Sequence, residues 1–435
     1  MLTLIELALV LGAVSILTSL ERKLSRLKWS GISPFVLLSV PYTVVLIIQV
    51  YSIFLYNLEP LSFEYVSYLL IHFFITWLVC ILFEGQTQAK SSEVTTVTTK
   101  CYDDYLKFIL IIGIFVSIIQ LFHFYKSGKS VSMAGQLVQE DFQLEYSGGV
   151  YFYLRLVSML CSAYLLAGVS KKRPLLIFAA VFCLLPVFLT FVKSVVILSL
   201  IAGVIGNIVV NDRKIRIKHV VNTVMLGFAV FFGVYLVEIC IWDLSRLTDP
   251  DTYSYIFAKM NFYFISGPQS FNVVVGDEMG ISNFQAQAKD NLVLAPLINF
   301  LHILGLTESI KTACPVWTFM GYIPGYGIAS GNVYSIIGQY VLYCGVFGSI
   351  LANAFFTSIV CYFYCRYHLT GNPFLLVLYG MFGAFFCMGW FDDYFCQTFW
   401  VYMIFLLGFI YLIGRFALNV KKNNFGCGQY VSVRG

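Results

Sequence analysis

A short polar motif, Gly-Asn-Val-Tyr-Ser at residues 331–335, stands directly before a long apolar run. Asn332, Tyr334 and Ser335 bring an amide, a phenol and a hydroxyl to one point of the chain. Such groups can hold the hydroxyl or phosphate oxygens of a ligand, and a neighbouring glycine lets a ligand approach the backbone. Ser335 or Asn332 can equally cap a helix that starts here by accepting hydrogen bonds from its first amides. Both interpretations stay open on the sequence.

The composition of the chain decides the medium in which this motif works. Of the 435 residues, 59% are hydrophobic and only 11% are charged, and the mean hydropathy is +0.83. A water-soluble core cannot hide that much apolar surface, so a bilayer must be the solvent. We therefore expect an all-α polytopic membrane protein.

About eleven apolar stretches are long enough, or nearly so, to cross the hydrocarbon layer as helices. We place them near residues 2–20, 32–57, 66–84, 105–125, 150–169, 174–191, 194–210, 219–242, 336–364, 374–391 and 397–418. The sixth and seventh are divided at Lys193, because a lysine inside a span is costly. The predicted organisation is helices 1–8 within 1–242, a loop at 243–335, helices 9–11 within 336–418 and a tail at 419–435.

Basic residues predict the orientation, because loops rich in lysine and arginine are retained on the cytoplasmic side. The clusters at 21–28, 170–173, 211–218 and 421–422 fall on one side of the predicted bundle. The N-terminus is therefore expected outside and the C-terminus inside. The first apolar stretch lacks a basic region before it and a small-residue cleavage site, which favours a retained helix over a signal peptide. Basic residues in short scattered clusters give no support for nucleic-acid binding.

The outside loop of 93 residues at 243–335 is too long to be a simple connection, and loops of that size are functional or disordered. Its apolar runs at 252–265 and 291–306 predict short helices that lie against the membrane or cap a cavity. The sequence contains no HExxH, GxSxG, P-loop or zinc-type Cys/His motif, and we expect no metal or cofactor. Cys314 and Cys396 are the cysteines clearly in outside loops; we favour buried thiols, and a disulfide between them stays open.

Three segments carry a resemblance to a known family. NFYFISGPQSF at 261–271 contains Ser266 and Gly267 in an aromatic-Ser-Gly pattern, GNVYS is followed by the glycine-bearing GQYVLYCGVFG at 338–348, and FVKSVVILSL spans 191–200. In their order, spacing and topology these segments resemble the Wzy-type O-antigen polymerases of the bacterial inner membrane. Two departures stand out. Tyr343-Cys344-Gly345 replaces an Asp-Phe-Gly pattern, and Lys193 replaces an arginine, so the charge stays but the bidentate geometry is lost.

The resemblance implies a GT-C-like polymerase/ligase architecture with a large periplasmic loop. It implies a glycosyltransferase that joins undecaprenyl-diphosphate-linked oligosaccharide repeat units on the periplasmic side, with membrane lipid around it and a chain-length regulator as a further protein partner. In that reading Ser266, Gly267, Asn332, Tyr334 and Ser335 bind substrate. A flippase or exporter of lipid-linked oligosaccharide and an O-antigen ligase remain alternatives. The long loop and the absence of a convincing internal repeat disfavour the first, and the Asn-Val-Tyr-Ser motif disfavours the second.

A lipid diphosphate that leaves a sugar loads negative charge onto phosphate oxygens, so the implied reaction needs fixed cations near the outer surface. The outward basic residues best placed for this are Lys193, Arg246, Arg155 and Lys259, with the first two ranked ahead. Each has a structural alternative. Lys193 can extend to the interface from a helix end, Arg155 can form a buried pair with Glu238 or Glu6, and the other two can be ordinary surface charges.

The implied reaction also needs a base for the attacking hydroxyl. The loop offers Asp277, Asp290 and His302, each of which can instead be a solvated, capping or structural residue. Asp392 and Asp393, in GWFDDYF, form an adjacent carboxylate pair in the last outside turn. Like charges so close can raise one pKa, although solvated surfaces carry such pairs without a function.

Overall fold

A computed structural model gives the fold of the chain. It describes residues 2–25, 31–86, 94–131, 149–188, 193–211, 249–288, 290–310, 314–324 and 327–424, together with positions 229, 232, 233 and 236. The helices before the large loop are α1 Leu2–Leu24, α2 Pro34–Tyr56, α3 Phe63–Gln86, α4 Val94–Val131, α5 Gly149–Ala167, α6 Leu176–Phe188 and α7 Lys193–Val210.

The large loop has its own secondary structure. It contains α8 Pro250–Gly276, α9 Gly280–Ala288, a 3₁₀ turn at Leu292–Leu294, α10 Ala295–Ile303, and strands β1 Thr318–Ile323 and β2 Gly327–Gly331. The chain then enters α11 Ile336–Thr370 and α12 Pro373–Cys387, and passes through a 3₁₀ turn at Tyr394–Cys396 into α13 Phe399–Asn424. The two strands pair as an antiparallel hairpin with a register shift between Phe319 and Gly321. The sequence did not predict this hairpin.

Seven helices in the described part of the chain are long and apolar enough to cross a membrane. They are α1 to α5, α11 and α13, and each coincides with a span predicted from the sequence. The chain is therefore a mainly helical, polytopic membrane protein, as predicted. Three further predicted spans are the shorter apolar helices α6, α7 and α12. The predicted span at 219–242 lies almost wholly outside the described residues, so the total of about eleven stays a prediction.

The division at Lys193 is confirmed, because α6 ends at Phe188 and α7 begins at Lys193. The cysteine prediction is also confirmed for the two loop thiols. Cys314 and Cys396 are both buried and free, and no disulfide joins them. The Tyr343 hydroxyl donates to Cys314 Sγ at 3.2 Å, so this thiol has a structural contact of its own.

Helix α8 is much longer than the short helix predicted at 252–265, and it is embedded in the bundle. Asp249 caps its start by accepting the Asp251 N–H at 3.0 Å, and Pro250 occupies the first turn, where its missing N–H costs nothing. From Phe262 onward most side chains of α8 are buried, and α8 packs against α2, α3 and β1. This helix therefore carries the aromatic-Ser-Gly segment into the interior.

Buried amide contacts fix α8 against α2 and α3. Gln49 donates to Gln269 Oε1 at 2.8 Å, and the Tyr65 hydroxyl donates to Gln49 Oε1 at 3.1 Å. Asn272 accepts the Ser62 N–H at 2.8 Å, and its amide nitrogen donates to the backbone carbonyl of Pro60. An unpaired buried amide costs about 1–3 kcal/mol, so these hydrogen bonds favour a single packing position of α8 against its neighbours.

Helix α11 is broken at Gly345, where φ is 67° and ψ is −176°. A residue with a side chain rarely adopts this conformation, which explains a glycine here. The break leaves carbonyls of the preceding turn without helical partners. Two side-chain amides of the loop take their place: Gln285 Nε2 donates to the Leu342 carbonyl at 3.0 Å, and Asn291 Nδ2 to the Tyr343 carbonyl at 3.2 Å.

Candidate functional site

Ser335 stands at the junction of the large loop and α11, and it is fully buried. Its hydroxyl accepts the Gly338 N–H at 3.2 Å, so it caps the helix as the sequence allowed. The Tyr42 hydroxyl of α2 donates to the same oxygen at 2.8 Å. The first turn of α11 is therefore tied to a neighbouring membrane helix through one serine.

Tyr334 and Asn332 use their polar groups inside the loop. The Tyr334 hydroxyl lies 2.6 Å from Thr318 Oγ1, and the Asn332 amide donates to the Cys314 carbonyl at 3.1 Å. Phe284 packs edge-on against the Tyr334 ring, with 5.2 Å between centroids. Both residues thus hold the hairpin against the start of α11.

Gly267 lies where α8 meets the connection between α12 and α13. A Cβ atom built on this glycine would lie 2.5 Å from the carbonyl oxygens of both Trp390 and Phe391, so only glycine fits. The Gly267 carbonyl accepts the Ser335 N–H at 3.4 Å. This contact joins the Ser-Gly segment directly to the Asn-Val-Tyr-Ser segment.

Ser266, beside Gly267, bonds locally, whereas one further backbone contact closes the junction. Ser266 is buried and donates to the Tyr263 carbonyl at 3.3 Å, within its own helix. The Ile336 N–H donates to the Gly389 carbonyl at 2.6 Å. The start of α11, the middle of α8 and the chain at 389–393 therefore form one packed centre, which we call the carboxylate junction because it contains Asp392 and Asp393.

Asp392 and Asp393 differ in how their oxygens are used. Asp392 Oδ1 accepts from Gln339 Nε2 at 2.6 Å and from the Asp393 N–H at 2.8 Å. Its Oδ2 accepts no hydrogen bond from the described residues, and the side chain is only partly buried. Asp393 is fully buried, and its two oxygens accept the Phe395 N–H and the Cys396 thiol, both at 2.9 Å.

Burial raises the pKa of both carboxyl groups. For Asp392 burial raises the pKa to about 6, although the hydrogen bonds from the Asp393 N–H and Gln339 lower it. For Asp393 burial and, to a smaller extent, the neighbouring Asp392 charge raise the pKa to about 7, although the hydrogen bonds from Cys396 and Phe395 lower it. A carboxylate with a pKa in this range can take up and release a proton near neutral pH. Asp392 alone of the two has an oxygen left for a ligand.

Three buried polar atoms beside the carboxylates lack partners. Gln339 Oε1 and the hydroxyls of Tyr340 and Tyr394 make no hydrogen bond among the described residues. Gln339 already donates to Asp392, so its free carbonyl oxygen lies next to that carboxylate. A buried acceptor and a buried donor without partners are costly. They are the kind of groups that a hydroxyl-bearing ligand would satisfy.

Asp393→Asn tests the burial of this carboxyl through stability. Because the folded pKa lies above its ordinary 3.8, the folded state binds more protons between about pH 4 and pH 7, and stability falls as pH rises through that window. Asparagine removes this cost, so we expect the variant to be more stable than the wild type by up to about 4 kcal/mol near pH 8 and to lose the advantage near pH 4. Thermal unfolding in detergent across pH measures the difference. A pH-independent difference would contradict a buried titrating group.

An open cleft of about 240 Å³ adjoins the break in α11. Its lining includes Asp290, Asn291, Gln285, Tyr343 and Cys344. Asp290 is exposed there, and its carboxylate has no hydrogen-bond partner among the described residues. The 3₁₀ turn after Asn291 packs against the turn at Tyr394–Cys396, so the cleft backs onto the carboxylate junction.

The other two predicted bases lie on the surface. Asp277 ends α8, is exposed, and accepts the Met279 N–H at 3.2 Å. His302 is exposed, and its Nδ1 lies 2.7 Å from the Thr307 carbonyl, so it closes a local turn. No contact in the described part of the chain joins either of them to the carboxylate junction.

Only two of the four predicted cations, Lys259 and Arg155, have side chains that the structure describes. Lys259 donates to the Tyr255 hydroxyl at 3.0 Å on the early, partly exposed part of α8. Arg155 lies 5.6 Å from the ring centroid of Phe152, and no ion pair with Glu6 is formed. Lys193 begins α7, but its side chain is not among the parts described, and Arg246 and Glu238 lie outside the described residues.

A family profile matches residues 63–420, from the start of α3 into α13. It describes a family of unknown function, DUF6337. The chain belongs to this family. The match includes the whole carboxylate junction apart from the Tyr42 hydroxyl on α2. No protein of curated function and no solved structure matches the chain.

Sequence reasoning ranked Asp392 and Asp393 below the loop candidates because adjacent carboxylates usually mark a solvated surface. The available signal was the composition of GWFDDYF, in which aromatic residues flank the pair on both sides. Aromatic neighbours favour burial, and a buried carboxylate titrates near neutral pH. Which glutamine would hold Asp392 could not be read from the sequence, since Gln339 lies 53 positions away.

Proposed function

We propose that this membrane protein is a glycosyltransferase that polymerises undecaprenyl-diphosphate-linked oligosaccharide repeat units into a surface polysaccharide such as O-antigen. The observation that carries the proposal is the contact of Gly267 with Ser335 and with the backbone at Trp390 and Phe391. The two loop segments that resemble the polymerase family thus meet at a titrating carboxylate pair. In this proposal the site faces the periplasm from the bacterial inner membrane.

The proposed step joins two lipid-linked glycans. A hydroxyl oxygen of the acceptor sugar attacks the anomeric carbon of the donor glycan, and a C–O bond forms as the bond from that carbon to the diphosphate oxygen breaks. The electron pair of the broken bond leaves with undecaprenyl diphosphate. The hydroxyl proton goes to a carboxylate of the enzyme. A base positioned in this way raises the rate by about 10² to 10⁴.

We assign the base role to Asp392. Its Oδ2 is not used by the described residues, its Oδ1 is fixed by two hydrogen bonds, and burial raises its pKa to about 6. Asp393 positions the turn by capping the 3₁₀ segment after it. Asp290, in the neighbouring cleft, and the exposed Asp277 and His302 stay predictions from the sequence, and the proposed step does not use them.

A cation is needed where the diphosphate leaves. Burial raises the pKa of Tyr394, the Asp392 charge raises it further, and Ser194 is near enough to lower it although no hydrogen bond joins the two hydroxyls. Lys193 is the preceding residue, at the first position of α7. We propose that its ammonium group binds the departing diphosphate. Helix α7 would then hold a phosphate-binding cation next to the carboxylate pair.

Deletion of the gene tests the function. A polymerase mutant should carry lipid A core with a single repeat unit in place of the long polysaccharide ladder. Core without any repeat unit, together with long polymer left on the carrier lipid, would indicate a ligase. Loss of surface repeat units with intact units retained on the cytoplasmic side of the membrane would indicate a flippase. Each of the last two results overturns the proposal.

Lys193→Ala tests the phosphate-binding assignment. We expect polymerisation to fall by about a hundredfold or more, because the removed charge is one that stabilises the leaving group. Lys193→Arg should retain most activity, since the charge stays. Lys171→Ala, which removes an exposed lysine between α5 and α6, is the matched control. Polysaccharide ladders at matched protein levels give the readout, and a full ladder from Lys193→Ala contradicts the assignment.

A further inference from the structure

The hairpin β1–β2 has one buried face and one apolar face that is exposed. Met320, Ile323 and Ala329 point inward and are almost fully buried. On the opposite face Trp317, Phe319, Tyr322 and Ile328 are each more than three-fifths exposed. Side chains alternate between the faces of a strand, and the register shift between Phe319 and Gly321 lets Phe319 and Tyr322, three positions apart, share one face. We call the exposed set the aromatic face.

The hairpin lies at the level where the chain leaves one membrane helix and enters the next. A Cβ built on Gly321 would lie 2.8 Å from Leu58 Cδ2, and Leu58 stands in the short connection between α2 and α3. Tyr51, Phe54 and Leu55, on the last turns of α2, are each more than half exposed. The hairpin therefore lies beside the end of α2, which itself presents apolar side chains to its surroundings.

The composition of the hairpin does not suit exposure to water. From Cys314 to Ser335 the chain contains no aspartate, glutamate, lysine or arginine. Water-exposed hairpins normally carry charges, because an uncharged apolar edge promotes aggregation. Tryptophan, tyrosine and phenylalanine at the end of a membrane helix are instead typical of the bilayer–water interface, where an apolar ring with a polar edge is favoured.

We propose that the aromatic face is inserted into the interfacial layer of the bilayer and anchors the hairpin to lipid. The partner is the phospholipid surface beside the end of α2. The hairpin packs against α8 and is bonded to Tyr334, so this anchor would fix the carboxylate junction at a constant depth.

A glycan that stacks on the aromatic rings is the competing occupant of this face, which would then serve as a glycan platform. It is disfavoured here because the hairpin carries no charged side chain and no amide side chain on this face to bind sugar hydroxyls. The proposal does not depend on the glycosyltransferase function.

Tryptophan quenching in the reconstituted full chain tests the anchor. The chain has six tryptophans, so Trp317→Phe isolates the contribution of one of them while it keeps an apolar ring. We expect quenching by phospholipids brominated near the headgroup end of the acyl chain to drop in the variant. Quenching by acrylamide in the aqueous phase should stay unchanged. The reverse pattern, with unchanged bromolipid quenching and reduced acrylamide quenching, overturns the proposal.

A second variant guards against misfolding of the first. Phe319→Trp adds a tryptophan to the same face, and we expect it to add emission that bromolipid quenches and acrylamide does not. If the added emission is quenched by acrylamide, the face lies in water and the proposal fails. Protection of that emission by soluble oligosaccharide would then identify a glycan platform. Neither readout involves polymerisation, so failure of the anchor and failure of the proposed function are distinguishable.

Discussion

Asp392→Asn is expected to reduce the rate of polymerisation by about a hundredfold or more in a protein that stays folded. Asparagine keeps an oxygen for the bonds from Gln339 and the Asp393 N–H, but it cannot accept the acceptor proton. The measurement is the rate of polymer formation by the purified chain from lipid-linked repeat units. Because burial raises the pKa of Asp392, the variant should unfold at the same temperature as the wild type or at a higher one near neutral pH, and thermal unfolding thus shows that the loss of rate is not a loss of fold.

The pH profile of the wild type gives a second readout of the same group. Asp392 must be ionised to act as a base, so kcat/KM should be constant above about pH 7 and fall about tenfold for each pH unit below about pH 6. Asp392→Asn should lose this acidic limb along with most of its rate. A profile that is flat from pH 5 to pH 8 would exclude Asp392 as the base.

Glu308→Gln is the matched control for the base assignment. Glu308 is an exposed carboxylate in the large loop, beyond the end of α10. Its replacement by an amide removes one negative charge, as Asp392→Asn does, but at a solvated position. We expect normal rate and stability. A wild-type rate from Asp392→Asn, or an equal loss from Glu308→Gln, would contradict the assignment.

Gly267→Ala is expected to destabilise the protein and to remove activity. The new methyl group would lie 2.5 Å from two carbonyl oxygens of the 390–391 backbone, and backbone atoms cannot move aside as a flexible side chain can. Overpacking of this kind costs about 1–3 kcal/mol or more. The shift would also separate Gly267 from Ser335 and move the turn that carries Asp392. Thermal unfolding and polymerisation rate measure the two effects.

Gly12→Ala provides the control for that substitution. Gly12 lies inside α1, and a Cβ atom there would meet nothing within 4 Å. Alanine is favoured over glycine inside a helix by up to about 1 kcal/mol, so stability should be equal or slightly higher. If Gly267→Ala behaved like Gly12→Ala, the close approach at the carboxylate junction would not constrain the site.

The membrane character of the chain and most of its helices follow directly from the sequence. Hydropathy and length predicted each of the seven long spans, because the hydrocarbon thickness fixes how many apolar residues a helix needs. Lys193 correctly marked the division between α6 and α7, since a charge inside a span is costly. The Ser335 cap could also be predicted from local chemistry, because a serine before a helix can accept hydrogen bonds from its first amides.

Only the tertiary structure decided which polar groups meet. The sequence could not place Gly267 against the backbone at 390–391, tie Tyr42 to Ser335, or bring Gln339 to Asp392, because each contact joins segments that are far apart in the chain. It also predicted neither the hairpin nor the break at Gly345, which a periodic apolar pattern does not reveal. Local patterns set helix length and capping, whereas burial and pKa depend on neighbours that packing supplies. The identity of the titrating carboxylate was therefore a property of the fold.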